Sequence, residues 1–167
     1  MERSRRSFIK QAIGAGTTLS AFGAAYRAVD SLAQSAQPPG VRAFDHVALP
    51  MLNVEPMLAF YRALGFQVVE GAQVCSVHFG NQMINFHRPA LWQNATFTLR
   101  APAAKPPCGD LCFVWDGTPE SVSAALARAN AKVETGPVSR QGGRCTNGSS
   151  VYTRDPDGNL LEFMIYS

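Results

Sequence analysis

From Ala43 onward the chain alternates apolar and polar positions in short runs, interrupted twice by stretches of helical period. Phe44–Pro50 reads as a strand, and Met57, Leu58, Tyr61 and Leu64 then recur at the spacing of one apolar helix face. Asn53 is placed to cap that helix and Gly65 to end it. Strands are predicted at Gln67–Glu70, Val74–Phe79 and Met83–His87, separated by Gly71-Ala72 and Gly80-Asn81. The same order then returns. Asp110–Trp115 reads as a strand, and Thr118-Pro119-Glu120 opens a helix carrying Val122, Ala125, Leu126 and Ala129. Further strands are predicted at Lys132–Glu134, Ser149–Thr153 and Leu160–Tyr166, the last two joined by the turn Asp155-Pro156-Asp157-Gly158.

The halves are in step, because His46 and Asp110 lie 64 residues apart in equivalent strands and Ala63 and Ala127 keep that offset at the helix exits. One helix and four strands are too few to close a core alone. The repeat therefore implies an α+β fold of two tandem βαβββ units, about 43–88 and 109–167, forming one curved mixed sheet around a shared cleft. Pro89–Cys108, with Trp92, Phe97 and four prolines, is long for a loop and is expected to be a substrate lid or a packed connector.

Composition agrees with one folded domain: of 167 residues, 46% are apolar and only 16% charged, enough for a core and no ground for global disorder. No run of eighteen uninterrupted apolar residues suggests a membrane span. The net charge of +3 comes from residues 1–33, where five basic residues face Glu2 and Asp30. The remainder is neutral and lacks a Lys/Arg cluster, which argues against a nucleic-acid partner. Ser4-Arg5-Arg6-Ser7-Phe8-Ile9-Lys10, a weakly apolar run from Ala12 to Tyr26 and small residues near Ala33 form a signal-peptide pattern. The paired arginines with Ser7-Phe8-Ile9-Lys10 resemble the bacterial twin-arginine export signal. That resemblance implies export by the twin-arginine translocase, a periplasmic or otherwise exported mature protein, and a metal loaded before export. Gln34–Arg42, with Pro38-Pro39-Gly40, reads as a linker.

Among the four cysteines, Cys112 is expected as a small core residue, and Cys108 and Cys145, both in loops, could form a disulfide. No CxxC spacing is present to hold zinc or form a thioredoxin motif. Glu162 stands at the centre of an apolar strand, where a carboxylate is costly unless something pairs it. On the alternation of the strands, Asn85 and His87 share one face, as do Asp110 and Cys112.

Phe44-Asp45-His46-Val47-Ala48, Phe60-Tyr61-Arg62-Ala63-Leu64-Gly65-Phe66 and Arg154-Asp155-Pro156-Asp157-Gly158-Asn159-Leu160-Leu161-Glu162 resemble the vicinal oxygen chelate superfamily, over residues 43–167. That group includes glyoxalase I, bleomycin-resistance proteins, fosfomycin-resistance enzymes and extradiol dioxygenases. The stretches 79–87 and 134–138 are similar to the glyoxalase-domain-containing protein 5-like subgroup. The resemblance implies metal ligands at His46, His87 or Asn85, Asp110 and Glu162, with Glu162 as ligand or general base. Such a set would suit Fe, Mn, Ni or Zn and leave positions for two neighbouring substrate oxygens. Asn85, Trp92 and Arg140 are the expected substrate contacts, and His78 is expected to be structural. The reading is an exported metal-dependent dioxygenase or lyase acting on a small molecule with vicinal oxygens; the alternative is a metal-free binding protein of the bleomycin-resistance type. A homodimer is expected for this architecture.

Overall fold

The computed structural model describes residues 40–166, so the signal peptide expected at 1–33 lies outside the described residues. The first unit comprises β1 (His46–Pro50), α1 (Val54–Ala63), β2 (Gln67–Glu70), β3 (Val74–Phe79) and β4 (Gln82–His87). A one-turn helix, α2 (Pro89–Trp92), begins the connector. The second unit comprises β5 (Asp110–Val114), α3 (Pro119–Arg128), β6 (Thr135–Gln141), β7 (Asn147–Arg154) and β8 (Leu160–Ile165).

The fold is α+β, with the two βαβββ units expected. Each unit forms its own four-stranded mixed sheet, ordered β1-β4-β3-β2 and β5-β8-β7-β6, in place of one continuous sheet. In each, the first strand runs parallel to the last and the other pairs are antiparallel. What joins the units is apolar packing rather than a strand ladder. Phe113 of the second unit meets Phe66 and Phe79 of the first at centroid distances of 5.3 and 5.1 Å. Those rings belong to one core with Tyr61, Phe86, Leu126, Leu161 and Phe163. Burial of this apolar area is the main force holding the halves together.

Both helices end alike. Phe66 N–H reaches Tyr61 O and Gly65 N–H reaches Arg62 O after α1, with Gly65 at φ +93°. After α3, Ala131 N–H reaches Leu126 O and Asn130 N–H reaches Ala127 O, with Asn130 at φ 53°. Glycine and asparagine tolerate this left-handed position best. Thr118 and Ser121 form a capping box on α3. Asn53 sits at the start of α1 but makes no side-chain cap bond.

The strand expected at Lys132–Glu134 lies instead at Thr135–Gln141. The structure accommodates Gly136-Pro137 at a register shift between Thr135 and Val138 on an edge strand, where proline's missing N–H is tolerated. Gly136 is required there: at φ +125°, a Cβ would lie 2.6 Å from Ser150 O.

Candidate functional site

The alternation of each strand separates a face turned to the core from an outer face. In the first unit Leu49, Val77, Ile84 and Phe86 are buried in the core, and His46, Ala48, Ser76, Asn85 and His87 occupy the outer face. In the second, Phe113, Val151, Leu161 and Phe163 are buried in the core, and Asp110, Cys112, Ser150, Tyr152, Glu162 and Met164 occupy the outer face.

Strand register identifies the equivalent positions of the two units. Ala48 pairs with Asn85 as Cys112 pairs with Glu162, and His46 pairs with Met83 as Asp110 pairs with Leu160. Asn85, not His87, is therefore the counterpart of Glu162. His87 pairs with Pro50, four residues along β1 from His46. At a rise of about 3.3 Å per residue, those two histidines are separated by roughly 13 Å of strand. Asp110 sits two residues away from the position beside Glu162, which Cys112 occupies.

Each outer face carries a hydroxyl bound to the residue at its centre. Ser76 Oγ donates to Asn85 Oδ1 at 2.6 Å, and Ser150 Oγ donates to Glu162 Oε1 at 2.5 Å. Tyr152 and Cys112 flank Glu162 as its cross-strand neighbours. Burial and then the Glu162 charge push the Cys112 thiol up to about 12, although the residue retains exposed surface; it is not the core residue expected. Tyr152 is raised by burial and by Glu162 beside it. The Arg140 guanidinium lies 5.9 Å from the Tyr152 ring centroid, placed there by β6 rather than by the loop expected.

His46 Nδ1 lies 2.6 Å from Asp45 Oδ1, which leaves Nε2 at the exposed side of the ring. His87 is buried beneath the connector, its ring 5.3 Å from that of Phe97. Trp92 Nε1 donates to Met51 O at 2.9 Å and fastens α2 to the first unit, making 89–108 a packed connector there. His78 lies on the outer face beside Met83. Cys108 and Cys145 are free thiols, as are Cys75 and Cys112.

Among the described residues, no three His, Cys, Asp or Glu side chains converge to hold a metal ion. The donor chemistry also departs from a divalent site, because Asn85, the counterpart of Glu162, is a weak ligand for a transition metal. Among the described residues, one chain alone does not assemble the ligand set that the resemblance implies.

The Glyoxalase/Bleomycin resistance protein/Dioxygenase superfamily model matches residues 43–163. The chain belongs to this superfamily. Similar proteins include glyoxalase domain-containing protein RDO1 of Mycosarcoma maydis, 33% identical over 75% of this chain and 69% of its own. Virulence protein STM3117 of Salmonella typhimurium is 34% identical over 73% of this chain and 83% of its own. Its crystal structure superposes with a TM-score of 0.66, at 32% identity over 76% of this chain and 98% of that one. The integron cassette protein VCH_CASS1 of V. cholerae superposes with a TM-score of 0.68, at 30% identity over 78% of this chain and all of that one. At lower identity, 24% and 17%, the superfamily fold is shared with a lactoylglutathione lyase and with TnmS3, an antibiotic binding protein.

Proposed function

We propose that the protein binds a small organic molecule without a resident metal, on the outer face around Glu162. The observation that carries this reading is the state of Glu162 itself. Ser150 donates to it, and Cys112 and Tyr152 pair with it on the flanking strands, so the carboxylate is already oriented within a polar group. Its counterpart Asn85 offers amide chemistry, suited to recognising a polar ligand. Arg140 and the Tyr152 ring supply a cation and an aromatic surface at the same face.

Exposed Val114, Val69 and Phe44 lie on or beside the outer faces. Large apolar side chains left exposed on these faces favour a covering partner. We infer that a second copy supplies it, closing the ligand cleft, and that the twin-arginine signal directs export. A metal-dependent enzyme is the second reading, and His46 favours it. A ring held through one nitrogen by a carboxylate, with the other exposed, is how metal-binding histidines are oriented. If a second copy brought Asp110 and Glu162 to His46, a divalent ion there would polarise two neighbouring ligand oxygens.

A thermal-shift screen of catechols and α-hydroxy acids, with and without EDTA, tests the binding reading. A stabilising compound whose effect survives EDTA and is lost in Glu162→Gln is the expected result. Stabilisation that appears only with added Fe, Mn, Ni or Zn contradicts it.

A further inference from the structure

A small, partly open cavity of about 70 Å³ lies beside the connector, on the first unit, lined by Ala48, Pro50, His87, Trp92, Arg100 and Ala104 among others. It is separate from the group around Glu162. Two of its lining side chains can still serve a ligand. His87 is only 9% exposed and lines the cavity. A neutral imidazole there offers one N–H donor. Arg100 donates Nη1 to Ala101 O and Pro102 O at 3.2 and 3.1 Å, which fixes the guanidinium while its other nitrogens keep their donors. No carboxylate among the described residues forms an ion pair with it. The Trp92 N–H is committed to Met51 O, and the remaining lining is largely alanine and proline.

A half-buried cation without an ion-pair partner among the described residues, beside a neutral N–H donor in a small and largely apolar cavity, is suited to a small anion. The volume is that of about two waters, taking roughly 30 Å³ for each. We propose that this cavity binds a small monocarboxylate of formate or acetate size, its oxygens accepting from Arg100 and His87 and its carbon end against Ala48, Pro50 and Ala104. The site selects by size, because its volume of about 70 Å³ holds few atoms.

Isothermal titration with sodium acetate, against sodium chloride at equal ionic strength, tests the site. Saturable acetate binding is expected, weakened at least about tenfold by Arg100→Gln, a loss of about 1.4 kcal/mol. Ala104→Leu, which fills the cavity and changes no charge, abolishes binding, with thermal melts confirming that both variants fold. Glu162→Gln leaves acetate binding unchanged, which distinguishes this site from the ligand face proposed above. No saturation by about 0.1 M acetate, equal affinity in Arg100→Gln, or hexanoate binding as tightly as acetate overturns the proposal.

Discussion

Cys112 and Glu162 show how neighbours decide what a residue can do. A thiol held near 12 is almost wholly protonated at pH 9, with about one thiolate per thousand molecules. Alkylation by iodoacetamide, followed at the Cys112 peptide by mass spectrometry, is expected to keep accelerating beyond pH 10, and Glu162→Gln to shift the profile to lower pH. A profile levelling off near pH 9 contradicts the account. Linkage gives the accompanying sign: the unfolded chain releases this proton near pH 9 and the folded chain near 12, so rising pH across that interval favours unfolding. Glu162 was legible in the sequence because a carboxylate amid leucine, phenylalanine and methionine demands a partner. Its partners were not, since Ser150 and Tyr152 look like ordinary outward positions of a strand. Arg100 was hidden for a different reason: no local periodicity marks a loop cation that meets a buried histidine.

At the scale of elements, the β7–β8 turn does more than reverse the chain. Asp157 accepts from the backbone N–H groups of Leu52 and Asn53 at 2.7 and 2.9 Å, and from Asn53 Nδ2 at 2.9 Å. A carboxylate of the second unit thereby satisfies donors at the entry to α1, where no Asn53 cap bond forms. Asp155 accepts from the Tyr61 hydroxyl at 3.0 Å and from Asn159 Nδ2 at 2.8 Å. Burial raises the pKa of Asp155, and its bonds to Asn159 and Tyr61 oppose the rise. Asp157→Ala leaves these donors without their acceptor and is expected to cost roughly 2–4 kcal/mol in urea unfolding. A cost below about 0.5 kcal/mol would show that the turn does not fasten α1. From sequence, the Asp-Pro-Asp-Gly spacing reveals the turn, whereas its long-range bonds depend on how the units pack. The displaced β6 has the opposite lesson: Gly136-Pro137 sits inside an edge strand, at a register shift that local alternation does not reveal.

At the scale of the molecule, the 64-residue repeat was the strongest signal in the sequence, and both units form. The repeat could not reveal two sheets in place of one, because that outcome depends on Phe66, Phe79 and Phe113 meeting across the units. It also could not decide between Asn85 and His87, which only β1–β4 register distinguishes. The candidate donors consequently occupy two outer faces that one chain does not bring together as a metal cluster among the described residues. The central claim is metal-free binding, with a second copy closing the cleft. The most direct test is native mass spectrometry of the untagged mature protein, reading metal content and assembly mass together, before and after EDTA. A dimer without bound metal, unchanged by EDTA, is the predicted result; a dimer holding near-stoichiometric Fe, Mn, Ni or Zn, lost in Glu162→Gln, would contradict it.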